Sequence, residues 1–272
     1  MTNTSLVFSL FATLPAVFVV MVFILYCAVK SGKHRGDQRW DRMLAASVLI
    51  IPFSTFGMTT ARFLSRLVPF KYDQYAFLFD ARFGELSFVL GRLLAPHFWW
   101  QTVFAVVYNL LPCAFLSVYA VYLFKCTLEE SMDVVRAYIL LFLLIVPLYL
   151  LFPVAGPYYA FPGFPFDLPN HVVAHPILLD AAPNGVPSGH IAAALVTVFF
   201  LRRWRSGLIL SSIFLLLTAV ATLESGEHYV FDLIAAVPFS FLVFYVARHP
   251  RRRSADTLDT REHSQSLQAS AD

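Results

Sequence analysis

The chain has 272 residues, of which 58% are hydrophobic, 16% aromatic and only 14% charged. A soluble domain carries about 25% charged residues, so composition excludes a soluble globule. The net charge of +3 identifies no partner until the charges are placed along the chain. Runs of roughly 20 apolar residues, enough to cross a bilayer core, recur throughout. They predict one polytopic, all-α membrane helix bundle and not two domains in series.

Leu6 to Val29 is the first expected span. It lacks the basic leader of a signal peptide and exceeds the length of one, which predicts an uncleaved helix. Lys30 to Arg42 follows, with five basic residues against Asp37 and Asp41. The next spans are expected at Met43 to about Ala61, Gln101 to Phe124, Ala137 to Pro153, Ile191 to Leu201 with its flanks, Gly207 to Leu223, and Tyr229 to Ala247. Pro52 falls inside the second, where membrane helices tolerate proline. Cys27, Cys113 and Cys126 are odd in number and lack metal-ligand spacing, and they read as thiols buried in lipid or core. There is no internal repeat, low-complexity tract or glycine-rich nucleotide loop.

Lys and Arg in short loops set orientation. If residues 30–42 are cytoplasmic, alternation places Arg202, Arg203, Arg205, Arg248, Arg251, Arg252 and Arg253 on the same side. The long segment Val154 to Pro187, on the other side, has no Lys or Arg. Arg62, Arg66, Lys71, Arg82 and Arg92 oppose this scheme. Their region carries Phe79, Phe83, Leu86, Leu90 and Leu93 at helical spacing, with Arg82, Glu85 and Arg92 on another face. That pattern predicts one amphipathic helix in the interface plane between Phe70 and His97. It is either a simple anchor or a helix whose arginines hold a lipid phosphate. Trp99 and Trp100 then fall where an aromatic belt is expected.

The organisation expected is therefore threefold. Residues 1–42 form an extra N-terminal transmembrane helix and basic cytoplasmic loop, residues 43–247 the membrane core, and residues 248–272 a basic, disordered cytoplasmic tail. Within the core, Val154 to Pro187 has seven prolines, aromatic clusters, His171 and His175. Connections that long are functional or disordered, and this composition predicts a packed lid.

Two short stretches carry chemistry. In Asn184-Gly185-Val186-Pro187-Ser188-Gly189-His190, Pro and Gly fix a turn that opens a helix. Helix N-termini present unpaired N–H groups and a positive dipole end, which favour a bound phosphate. Ser188 adds a hydroxyl, and His190 stands where it could protonate a leaving oxygen. The plainer alternative is a turn with a helix-capping serine. His228 and Asp232, four apart, share one helical face. A carboxylate on one imidazole nitrogen fixes the tautomer and leaves the other nitrogen free to attack; the plainer alternative is a structural pair. Both stretches end spans joined by a tight, arginine-rich turn, which brings them to one membrane face.

Pro187-Ser188-Gly189-His190 followed by His228-x-x-x-Asp232 resembles the second and third motifs of the type-2 phosphatidic acid phosphatase and vanadium haloperoxidase superfamily. Phe152-Pro153-Val154-Ala155-Gly156-Pro157 and His228-Tyr229-x-x-Asp232-Leu233-Ile234 are similar to its inositol phosphorylceramide synthase-like branch. The resemblance is good from about Ala137 to Ala247, and the first span looks like an addition to a six-helix core. It implies a phosphohistidine mechanism with His228 as nucleophile, Asp232 as its orienting carboxylate and His190 as acid. Ser188 and the Gly189 backbone match phosphate contacts. No metal or other cofactor is implied. The implied partners are the bilayer, a lipid phosphate or diphosphate substrate, and water or an alcohol such as inositol as acceptor.

Two departures stand out. The family's Lys and Arg-Pro first motif has no counterpart near Pro153 to Pro187, and the Ser-Arg that often begins its third motif is Ala221-Thr222 here. Either another cation stabilises the negative transition state, with Arg82 and Arg92 as the candidates, or activity is weak. The expectation is an integral-membrane lipid phosphatase or phosphotransferase with its site on the non-cytoplasmic face, in the inner or plasma membrane if bacterial. The alternatives are a proton-coupled lipid transporter or flippase, since buried His and Asp can relay protons, and a non-catalytic scaffold.

Overall fold

The computed structural model describes residues 63–248 apart from Ser65, Arg66 and Asn184. The first two expected spans and the tail lie outside the described residues. A two-residue strand, β1 (Phe70–Lys71), leads into α1 (Asp73–Asp80), a 3-10 turn (Ala81–Phe83) and α2 (Leu86–Leu94). The single interfacial helix expected between Phe70 and His97 is thus two helices. Gly84 and Glu85 have φ of 77° and 54°, and consecutive left-handed residues end a right-handed helix. Apolar spacing runs through such a break without registering it.

The span expected at Gln101 to Phe124 is also divided, into α3 (Phe98–Asn109) and α4 (Leu111–Lys125). The two are bent by 50°. Pro112, in the first turn of α4, has no N–H to donate backwards, so it starts a helix well and continues one badly. The next helix, α5 (Leu128–Leu151), begins well before the expected Ala137. Thr127 and Glu130 form its capping box: the Glu130 amide donates to Thr127 Oγ1 (3.3 Å) and the Thr127 amide to Glu130 Oε2 (3.0 Å). Such a box contributes on the order of 1 kcal/mol.

The long connection contains one helical turn, α6 (Pro157–Ala160), and a second two-residue strand, β2 (Ile177–Leu178). β2 pairs antiparallel with β1, Phe70 opposite Leu178 and Lys71 opposite Ile177. Lys71 is fully buried there and donates from Nζ to the carbonyls of Val68 and Leu179. The chain closes with α7 (Gly189–Leu201), α8 (Arg205–Glu224) and a last helix, α9 (Val230–Arg248).

Among the described residues, three helices are long and apolar enough to cross a membrane alone: α5, α8 and α9. The bent pair α3–α4 makes a fourth if it counts as one span. α7 is shorter, and it is shielded by its neighbours: Ile191, Ala192, Ala193, Ala194 and Val196 are all buried. Small residues let helix backbones approach closely where lipid gives no hydrophobic drive. Here Ser240 Oγ on α9 reaches the Ala192 carbonyl at 3.3 Å. Phe115, Tyr119, Val134, Tyr138, Val196 and Val243 complete this core.

A second, smaller core caps one end of the bundle. Phe77 of α1, Phe88 of α2, Val154, Phe161 and Val186 of the connection, and Tyr229 before α9 are buried together. The ends of the expected lid are therefore packed, while Phe166, Val173 and Leu178 in its middle are exposed. The opposite end of the bundle is basic. Arg203 pairs with Glu130 at 3.4 Å and lies over Trp204, and Arg202 and Arg248 both lie over Phe244.

Candidate active site

Antiparallel packing of α7 against α8 returns the chain to the capped end, where the two histidine stretches meet. Ser188 donates its amide to the Asp232 carbonyl at 3.1 Å, which joins them through the backbone. The imidazole centroids of His190 and His228 are 6.3 Å apart, with planes inclined at 62°.

His228 stands just before α9 and is almost fully buried. Its amide donates to the Thr222 carbonyl at 3.2 Å. Thr222 occupies one of the two positions where the family's Ser-Arg would stand, so that position serves here through its backbone. His228 Nδ1 lies 3.2 Å from Asp232 Oδ2. The contact suits a hydrogen bond from Nδ1 to the carboxylate and leaves Nε2 as the ring nitrogen directed away from Asp232. Asp232 is fully buried, and Oδ2 also accepts the Tyr229 amide at 2.9 Å. Its other oxygen has no hydrogen-bond partner among the described residues.

His190, in the first turn of α7, stacks on Tyr108 of α3 at 4.0 Å between centroids. That contact fixes the plane of the imidazole. Ser188 is fully buried and caps α7, accepting the Ile191 amide at 3.4 Å, which is the plainer of the two roles expected for it. Its O–H remains a donor. A Cβ at Gly189 would lie 3.0 Å from the Tyr149 hydroxyl and 3.3 Å from Ile145 Cδ1, so Tyr149 of α5 walls the same turn.

The side chains of Arg82 and Arg92 are exposed, and neither side chain forms an ion pair or hydrogen bond with another described residue. Both belong to the capped end. Arg82 follows Asp80, whose Oδ1 accepts the Val230 amide at 3.0 Å. Arg92 follows Gly91, where a Cβ would meet Pro165 at 2.5 Å and the Glu224 carbonyl at 3.2 Å. The coordinates join neither arginine to the histidines by a contact.

Several polar residues here were not singled out from sequence. Glu227 precedes His228 and accepts the Tyr159 hydroxyl at 3.2 Å. Burial pushes its carboxyl above the ordinary glutamate range, with His228 pulling the other way. Asp73, fully buried, accepts the amides of Ala155 (3.0 Å) and Gly156 (2.7 Å) and the Tyr229 hydroxyl (3.2 Å). Asp80 accepts from Ser87 Oγ (2.7 Å) as well as from Val230. Asp73 and Asp80 lie at the two ends of α1, seven apart and so on one face. That spacing, in an otherwise apolar stretch, was the signal available.

Burial raises the Asp73 carboxyl to about 6, against the opposing effect of its backbone donors, and raises Asp80 as well. A carboxyl whose folded pKa lies above its unfolded value binds its proton more tightly when folded. It stabilises the fold at low pH, and that contribution is lost as pH climbs towards the folded pKa. For Asp73 the window is pH 4 to 6 and the loss about 3 kcal/mol. The thermal midpoint of the purified protein should fall across this window, and fall less in Asp73→Asn. An Asp73→Asn variant with the full parental slope would show that the titrating group lies elsewhere.

A helical membrane bundle with two imidazoles and a carboxylate at one end is the framework of a membrane phosphatase-type protein. Residues 78–246 match the sequence model of the PAP2 superfamily, and the chain belongs to that superfamily. The match takes in the last three residues of α1, all of α2, both histidine stretches and nearly all of α9. The chain has no significant match to a curated protein or to a solved structure.

Proposed function

We propose that this protein is an integral-membrane lipid phosphatase or phosphotransferase that works through a phosphohistidine at His228. The observation that carries the reading is the pair of imidazoles 6.3 Å apart, one of them held by Asp232 with its outer nitrogen free. A phosphorus atom between them has a nucleophile on one side and a proton donor on the other.

In the first step His228 Nε2 attacks phosphorus and the bond to the leaving oxygen breaks. His190 gives that oxygen its proton, and Asp232 supports the positive charge on the His228 ring. In the second step the oxygen of water or an alcohol attacks phosphorus while the phosphorus–nitrogen bond breaks. His190 takes the attacking group's proton, so both histidines end as they began. Ser188 O–H and the amides opening α7 are suited to the phosphate oxygens. Arg82 and Arg92, exposed at the same end and without ion pairs among the described residues, are the proposed source of cationic charge.

Two features favour transfer in the manner of the inositol phosphorylceramide synthase-like branch. The stretch carrying that resemblance is built against the histidine turn: a Cβ at Gly156 would lie 2.5 Å from the Glu227 carbonyl. Glu227 and the Tyr159 hydroxyl also offer hydrogen-bond partners for an alcohol acceptor beside His228. We place the site on the non-cytoplasmic side of the inner or plasma membrane. The basic turn between α7 and α8 and Arg248 stand at the opposite end, as the distribution of positive charge requires.

Purified protein should release phosphate from, or move a head group of, a lipid phosphate, a polyprenyl diphosphate or a phosphoinositide. Assays with and without inositol separate the two activities. Transfer predicts a new lipid and less free phosphate when the acceptor is added. Equal phosphate release in both, with no new lipid, rules transfer out.

A further inference from the structure

We propose that Asp73 and Asp80 are positioning residues for the nucleophile: α1 acts as a brace whose two ends hold the His228–Tyr229–Val230 turn. The inference rests on the proposed role of His228. Three carboxylates converge on three consecutive residues. Asp232 takes the His228 ring and the Tyr229 amide, Asp73 takes the Tyr229 hydroxyl, and Asp80 takes the Val230 amide.

The first amides of a helix have no partner within it. At α9 those of Tyr229 and Val230 are bonded to carboxylates, one local and one 150 residues earlier in the chain. Phe79 and Phe231 reinforce the second attachment, ring to ring at 5.1 Å. Asp73 adds a third anchorage, because it also holds the amides of Ala155 and Gly156. The Gly156 Cα faces the other side of the same turn: a Cβ there would lie 2.5 Å from the Glu227 carbonyl.

Burying a carboxylate is costly unless its acceptor sites are filled. Asp73 and Asp80 are wholly buried, and the bonds they accept from the turn, from the Tyr229 hydroxyl and the Val230 amide, tie it to α1. Neither has a contact that would place it on a substrate, so each acts through the histidine. An imidazole must meet phosphorus at a near-attack distance and angle, and a misplacement of about 1 Å lowers rate by about 100-fold.

The experiment uses the full chain in detergent or nanodiscs, with a soluble short-chain lipid phosphate. It compares Asp80→Ala, Asp80→Asn, Tyr229→Phe and His228→Gln with the parent, with kcat taken per folded protein. Asp80→Ala should lower kcat about 10- to 100-fold with KM within about twofold. Asp80→Asn should recover most of that loss, because its amide oxygen still accepts the Val230 N–H. Tyr229→Phe removes one hydroxyl from the Asp73 end and should lower kcat several-fold with the fold intact. It keeps the proposal testable if Asp80→Ala does not fold.

Parental kcat in folded Asp80→Ala, or in Tyr229→Phe should Asp80→Ala not fold, would overturn the brace. So would a loss appearing only in KM or in the amount of folded protein. If His228→Gln itself turns over at the parental rate, the reading of the nucleophile fails instead, and the two failures are distinct.

Discussion

Replacing His228 with alanine is expected to lower turnover of a lipid phosphate by roughly 10^4- to 10^6-fold, the scale seen when a nucleophile is removed. In the proposed mechanism the ring supplies the attacking nitrogen, and no other imidazole among the described residues is held by a carboxylate. The same substitution leaves Asp232 buried without its ring partner, which costs about 1–3 kcal/mol for a lost donor to a buried acceptor. His228→Gln, which keeps a side-chain donor towards Asp232, therefore accompanies it and separates lost chemistry from lost folding. Asp232→Asn should fall slightly less far, by about 10^3- to 10^4-fold, because the ring remains but its tautomer is no longer fixed. Rates measured on monodisperse protein check all three. Parental phosphate release by His228→Gln would exclude His228 as nucleophile.

The second large effect is expected at Gly156, which has no side chain to take part in proton transfer. Its φ of 117° suits glycine alone. An added Cβ would stand 2.5 Å from the Glu227 carbonyl and 2.7 Å from that of Gly226. Both obstacles are backbone, and the Gly226 carbonyl is also tied to the Tyr158 amide, so they cannot swing aside as a flexible side chain would. Left-handed strain and overpacking together should cost Gly156→Ala roughly 3–5 kcal/mol and displace the histidine turn. Gly84→Ala is the comparison. Gly84 also has positive φ, at 77°, but open space around it, so only the conformational cost of about 1–2 kcal/mol remains. Thermal unfolding of both variants tests the difference. Equal midpoints would mean that the close approach at Gly156 carries no energy.

The meeting of the two histidine stretches was more legible in the sequence than the frame around them. His190 and the His228–Asp232 pair could be found because each is a local pattern. The arginine-rich turn between α7 and α8 is short enough that their convergence follows from hairpin geometry. Phe152 to Pro157 could be singled out by family resemblance, though nothing in its letters says that Gly156 abuts Glu227. Asp80 and Val230 form a bond across 150 residues, and no local pattern reports such a partner. The breaks at Gly84–Glu85 and before Pro112 were missed for a different reason. Apolar spacing measures which face is greasy and continues across a turn if both sides are greasy. The early start of α5 could have been read, since Thr127-x-x-Glu130 is a capping box.

These cases divide along one physical line. Short-range patterns set the helices and bring the two histidines to one end of the bundle. Bonds to three buried carboxylates hold the turn that carries His228, and α1 supplies two of the three.

The most direct test is to map the covalent intermediate. Protein mixed with a labelled phosphate ester bearing a good leaving group is quenched in alkali, which preserves phosphoramidates, and digested for mass spectrometry. A good leaving group needs no proton, so His190→Ala should still form the intermediate and, lacking its base, should accumulate it. The account predicts label on His228, more of it in His190→Ala and none in His228→Gln. Label on a different residue, or continued turnover with no labelled histidine at any time, would contradict it.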